Sequence, residues 1–503
     1  MSEASEAGWP RERALVIPRL FLGLCAVVLL ACGGKRGGET APPGSAAVRA
    51  YPATRWIPAK ASYAIAARTV RDAQQGVRDL IDTFGVLGDV TVTELSAELS
   101  QLLLVDPLSP DAVTHIGIDL EGGFAMFSDA YNPTVVVRLA SEPAFRAFID
   151  RRTNLELQSV VVDGTEVFTV PLPDGLRISW AVADAWLWVH VALPDIPDDG
   201  ATWFSASRKP GAPTWGVDFE AAKGGAEPPV VGFVDAARLV ADVQARVPEV
   251  AQCFGALQVS GIGKLGVALA GDTKQANARL ALDVGPLAPA IAAAVLPIPE
   301  GFGAATAQVP IAAQWNIDLA AARAKLDPCV RLFGADLRAI DELGIRAARG
   351  YLRTFDPDDR DGTGAVSLDL THKDFFAAKL DDIPLRSTLE RKRTFGPYAG
   401  KSISIPMFLT VDYVLTDQVA LAGIGDGQLL TMIGKGGATK GPLFEVAVQP
   451  LGLSIESWTE LFELLDIDHA KRVAERLQRW REARVNLTID GSRLVLAASG
   501  TRR

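Results

Sequence analysis

The chain has 503 residues, 49% of them hydrophobic, and a net charge of −10. That length and composition predict several packed domains and exclude a disordered or low-complexity chain. The acidic balance, without a long basic run, argues against nucleic acid or anionic lipid headgroups as partners.

The first predicted element is a targeting segment. Arg11, Arg13 and Arg19 precede an unbroken apolar run from Leu20 to Ala31, which ends at Cys32-Gly33-Gly34. A basic flank, a short hydrophobic stretch and small residues at its end mark an export signal. At about 1.5 Å per residue the run reaches ~18 Å, short of a ~30 Å hydrocarbon core, so a transmembrane helix is the weaker reading. Its last residues, Leu29-Leu30-Ala31-Cys32, resemble the bacterial lipobox. The resemblance implies that residues 1–31 are a signal peptide, that the Cys32 thiol carries a diacylglycerol, and that Cys32 becomes the membrane anchor. Gly33 stands where an Asp would direct inner-membrane retention, so the resemblance favours the outer membrane. Residues 32–54 follow, rich in Gly, Pro, Ala and Ser, and read as a flexible tether.

Beyond the tether, two series of segments match in order. Ile116-Gly117-Ile118 corresponds to Leu343-Gly344-Ile345, and a hairpin from Gly123 to Leu139 corresponds to one from Gly350 to Leu370. Helix starts at Ser141 and Thr371 follow, then Val170-Pro171 against Ile405-Pro406. The stretch from Ile178 to Val191 aligns without a gap on Val411 to Ile424, placing Trp180 on Tyr413 and Asp184 on Asp417. Each series leads into a shorter unit, beginning at Val230 and at Leu443; Asp235, after the strand-like run from Val230, and Asp318, after Trp315-Asn316-Ile317, are each apt to cap a helix. The second short unit closes on two alternating strands joined at Asp490-Gly491, a strong hairpin signal. The predicted units are 55–227 and 228–305 for the first copy, 306–440 and 441–503 for the second. Hairpins with helices between them predict an α+β fold, internally duplicated, with mostly antiparallel sheets and helices packed on one face. The pattern resembles bacterial envelope proteins made of tandem α+β repeats, a likeness that implies no particular activity.

Several near-motifs fail on spacing. Asp356 to Gly362 has Arg360 where a calcium loop needs an oxygen at position 5 and Ser367 where it needs a bidentate Glu, so an acidic hairpin tip is the better reading. Gly396 to Ser402 is one residue short of a phosphate loop and leads into a strand-like run instead of a helix. The four histidines, His115, His190, His372 and His469, show no zinc-like spacing. No metal site and no cofactor are therefore expected.

Tryptophan is concentrated in one region. Trp186 and Trp188 align on Val419 and Leu421, which marks them as core. Trp203 and Trp215 flank a loop and lack counterparts, which makes them the candidate contact surface. Cys253 and Cys329 are either a disulfide in an oxidising compartment or two buried thiols. The leading expectation is a non-enzymatic envelope lipoprotein, held to the membrane through Cys32, that binds an envelope protein or polymer. Alternatives are a carrier of lipid or another hydrophobic ligand and a periplasmic hydrolase with an unrecognised site.

Overall fold

The computed structural model describes residues 45–503 apart from 59, 85–90, 104, 129–130, 152–156, 173–174, 195–200, 209–214, 225–226, 247–249, 257–260, 273, 300–308, 319–320, 322–326, 329–343, 359–360, 382–388, 406–408, 434–440, 466 and 468. The expected signal segment, Cys32 and Cys329 lie outside the described residues.

Helix α1 (Ser45–Ala50) and a 3-10 turn (Pro52–Trp56) lead into β1 (Tyr63–Ala67) and α2 (Val70–Phe84). Thr69 starts α2 by accepting the Asp72 N–H at 3.0 Å. Next come α3 (Val92–Leu103), capped reciprocally by Thr91 and Glu94, and α4 (Pro110–His115). The hairpin β2 (Phe124–Ser128) and β3 (Thr134–Arg138) precedes α5 (Glu142–Asp150), where Ser141 accepts the Ala144 N–H at 3.2 Å. Four strands follow: β4 (Gln158–Val162), β5 (Thr165–Pro171), β6 (Arg177–Ala183) and β7 (Trp186–Ala192). Then come α6 (Thr202–Arg208), α7 (Trp215–Lys223), β8 (Val230–Asp235), α8 (Ala236–Arg246), α9 (Val250–Ala256), β9 (Lys264–Gly271) and β10 (Gln275–Asp283).

After α10 (Ala288–Ala294), the strands are β11 (Ile311–Trp315), β12 (Ile345–Asp356) and β13 (Asp361–Leu370). Helix α11 (Lys373–Asp381) leads to β14 (Glu390–Phe395), β15 (Tyr398–Ile405), β16 (Leu409–Leu415) and β17 (Val419–Ile424). The chain ends through β18 (Phe444–Val448), α12 (Ile455–Leu464), α13 (Ala470–Leu477), β19 (Trp480–Asp490) and β20 (Arg493–Arg502).

Among the described residues, twenty strands form one antiparallel sheet. The first ten pair in the order β4, β5, β6, β7, β3, β2, β1, β8, β9, β10. The second ten pair in the order β14, β15, β16, β17, β13, β12, β11, β18, β19, β20. Every strand of the second series thus takes the place of the strand ten earlier. The two series join where β10 runs antiparallel to β20, from Gln275 opposite Thr501 to Asp283 opposite Arg493. β4 and β14 are left as the two edges.

The antiparallel α+β class is as expected, but helices lie on both faces of the sheet instead of one. Successive strand residues point to opposite faces. Trp186 and Trp188 of β7 share a core with Phe204 of α6 and Phe219 of α7. Leu187, between them, packs with Val70 of α2 and Phe145 of α5. In the second series, Val419 and Leu421 pack with Leu429 and Met432 on one face. Trp458 of α12 and Ala474 of α13 cover Ile311, Leu352 and Val448 on the other. Both faces of central strands such as β7 are therefore withdrawn from water, which explains their near-continuous apolar runs.

The tether reading also changes. Residues 45–50 form a helix and 52–54 lie in a 3-10 turn, and Tyr51 and Ala53 are fully buried in the same core as Trp188. A Pro- and Ala-rich composition suggests a linker, yet Pro52 sits at the first position of a 3-10 turn, where its missing N–H costs nothing.

Candidate functional site

The segment that follows the expected anchor docks as a strap across β7. Tyr51 donates its hydroxyl to the Pro228 carbonyl at 2.6 Å, and Thr54 Oγ1 donates to the Tyr51 carbonyl at 2.7 Å. Burial, and then the nearby Glu227 carboxylate, push the Tyr51 hydroxyl far above the usual phenol range, so it remains a donor. Gly123 allows the backbone to approach: a Cβ there would lie 2.9 Å from the Ala53 nitrogen.

The strap ends in Trp56, which meets Trp188 edge to face at 5.0 Å and Trp186 at 6.1 Å. The Arg55 guanidinium lies 5.8 Å from the Trp56 ring and 5.6 Å from the Trp186 ring, within cation–π range. Trp188 continues the cluster onto Phe204 at 5.3 Å. Sequence reasoning missed Tyr51 because its surroundings read as linker, and passed over Arg55 and Trp56, the first residues beyond that stretch. The signal that could have found them is the pair of large aromatics around Pro52, too costly to leave in water on a tether.

Trp203 is half-buried and stacks on His190 at 4.8 Å with the rings almost parallel, while also meeting Phe204 at 5.7 Å. It therefore serves the packing of α6 on β7. His190 is itself buried, with Nδ1 hydrogen-bonded to Thr134 Oγ1 at 2.8 Å. Trp215 opens α7, but its side chain lies outside the described residues. The expected contact surface therefore rests, among the described residues, on Trp203 alone, which packs α6 onto β7. Cys253 is buried on α9 and disulfide-bonded, with a partner outside the described residues.

The near-motifs take the places their spacing implied. Asp356 and Asp361 close the β12–β13 hairpin, and Gly396 turns into β15. Beside that hairpin tip is an open cavity of about 380 Å³, lined by Phe355, Pro357 and Gly362 together with Thr354, Asp356, Asp361, Thr363 and Ser457. The Asp358 N–H binds Asp356 Oδ1 at 3.0 Å, and Ser457 Oγ donates to the Phe355 carbonyl at 3.0 Å. Among the described residues, no three His, Cys, Asp or Glu side chains are grouped to hold a metal ion. None of the described helices is long and apolar enough to cross a membrane.

The strongest electrostatic feature is buried. Arg349 of β12, fully enclosed, makes a two-pronged pair with Asp369 of β13 at 2.7 and 2.9 Å, and its Nε donates to Asn316 Oδ1 at 2.8 Å. Asn316 passes the network on to the Pro442 carbonyl at 2.7 Å. This set ties β11, β12 and β13 together and faces no opening, which suits a structural role.

No protein-family model matches the chain, and no curated protein does. Solved structures of the protein TP0453 are similar over about half of it. Crystal form I is 9% identical, covers 50% of this chain and 81% of its own, and superposes with a TM-score of 0.29. Crystal form III is 10% identical, covers 48% and 88%, and has a TM-score of 0.26.

Proposed function

We propose that the chain is a membrane-tethered envelope lipoprotein, anchored through lipid on Cys32, that serves as a non-enzymatic binding scaffold for an envelope protein or polymer. The observation that carries this reading is the strap. A lipobox-like signal ending at Cys32 is followed, from Ser45 onward, by a segment that packs into the first half of the sheet. Cys32 and Ser45 are close enough in sequence that the free span is at most ~45 Å at ~3.5 Å per residue. The body is thereby held near the membrane at a defined point, which fits a scaffold. Two acyl chains suffice for stable anchoring.

The matching pairing orders of β1–β10 and β11–β20 support an origin by internal duplication. A long sheet built from two such series offers edges and hairpin tips for contact. Labelling with radioactive palmitate, together with crosslinked affinity capture from the native envelope, tests the proposal. Label lost in Cys32→Ser and recovery of a discrete envelope component are expected. Equal label in both chains would remove the anchor, and capture of nothing beyond background would remove the scaffold.

A further inference from the structure

The two edges of the sheet are chemically opposite. β14 pairs only with β15 among the described strands, and it carries Arg391, Lys392 and Arg393, all exposed. Charged side chains of this kind are a common protection against edge-to-edge association. β4 pairs only with β5 among the described strands, and its sequence Gln158-Ser159-Val160-Val161-Val162 has no charge and no proline. Val160 is 51% exposed, Val161 71%, and the preceding Leu157 48%. An uncharged, apolar edge of this kind is a template for another strand.

The backbone of β4 fixes how that strand would dock. β4 and β5 are joined by the two-residue turn Asp163-Gly164, both with positive φ at 47° and 76°. In such a hairpin the flanking pair, here Val162 opposite Thr165, exchanges both hydrogen bonds. Alternation then directs the N–H and C=O groups of Val160 and Gln158 towards β5. Those of Ser159 and Val161 point away from the sheet.

We infer that β4 is a homodimerisation edge, on which the β4 strand of a second copy pairs antiparallel about a two-fold axis at Val160. In this register Ser159 of each copy faces Val161 of the other, and these pairs exchange the outward hydrogen bonds. Val160 faces its own equivalent in a non-hydrogen-bonded pair, where side chains approach most closely. Gln158 faces Val162, so no charge meets a like charge. Self-pairing of β14 would instead set its three cations against those of the partner, which is destabilising. An edge-to-edge antiparallel join of matching strands already exists within the molecule, where β10 meets β20. The interface is self-complementary, as two-fold association requires. A five-residue strand buries little area, so the dimer should depend on protein concentration.

The test is disulfide capture in the full chain extracted in detergent, with the unsubstituted chain as baseline. Val160→Cys should give a covalent homodimer on mild oxidation, because Cα atoms about 4.5 Å apart suit a disulfide. Lys392→Cys on the other edge should stay at baseline. Adding Val161→Pro to Val160→Cys removes an outward N–H from each copy and leaves the β5 ladder intact, so the yield should fall about tenfold. A Val160→Cys yield no higher than that of Lys392→Cys, a yield unaffected by Val161→Pro, or crosslinking to a different protein instead would each overturn the proposal.

Discussion

Asp79 on α2 and Arg502 near the end of β20 form a salt bridge between residues more than 400 positions apart in the chain. Both side chains are largely buried, at 10% and 19% exposure. Asp79 also accepts from Gln75 Nε2 at 2.9 Å, and Arg502 lies over the Trp480 ring at 5.3 Å. The pair reinforces the β10–β20 join by tying a helix of the first half to the last strand of the second. Removing one partner of a buried pair leaves an uncompensated charge, so Asp79→Ala should cost about 3–5 kcal/mol. Arg502→Ala should act similarly, and the double variant should cost less than the sum by about 0.5–3 kcal/mol. Denaturant midpoints of the four proteins measure this, and strictly additive effects would contradict the coupling.

The buried pair of Arg349 and Asp369 predicts an asymmetry between single and paired replacement. Asp369→Ala alone should lower stability by about 3–5 kcal/mol, because Arg349 is then buried without its carboxylate. Replacing both with apolar residues of similar size, Arg349→Met with Asp369→Leu, should restore most of that loss. Thermal unfolding of the single and double variants checks the order.

The strap predicts a local opening distinct from global unfolding. Trp56→Ala should release the segment before β1 and make it cleavable by a protease at a dose that leaves the parent intact. Trp188→Ala, deep in the same cluster, should destabilise the whole first half by about 3–5 kcal/mol. Limited proteolysis with peptide mapping separates the two patterns. Equal cleavage of the strap in the parent and Trp56→Ala would show that Trp56 does not hold it.

The disulfide of Cys253 pairs, we propose, with Cys329, the remaining cysteine beyond the signal and anchor positions. Thiol titration of the denatured, unreduced protein should find neither residue reactive, and digestion without reductant should yield one linked peptide containing both. Two free thiols would exclude the bond.

Much of the strand layout is legible in the sequence because alternation and turn chemistry are local. The stretches from Ile178 to Val191 and from Val411 to Ile424 fall on β6–β7 and β16–β17, and their ladders set Trp180 opposite Val189 and Tyr413 opposite Ala422. Register is harder to read. Gly350 lies inside β12 opposite Val366, whereas Gly123 precedes β2, because β12 is longer and irregular near Ile345 and Leu352. Helix placement is also hidden, since an apolar stripe does not say which face of a sheet it covers. The Arg349 network escaped for a related reason. Its partners come from three neighbouring strands, and the matching ladder positions in the first half hold Ala125 and Arg138 instead. The stacking of Trp203 on His190 is not legible either, because a lone aromatic beside a loop looks the same in sequence whether it faces solvent or a ring.

The central claim is that the molecule is held to a membrane through Cys32. Mass spectrometry of the amino-terminal peptide, taken from protein isolated from its own envelope, tests it most directly. The account predicts a mature chain that begins at Cys32 and carries a diacylglycerol on the thiol. An unmodified Cys32, or a mature chain that retains residues 1–31, would contradict it.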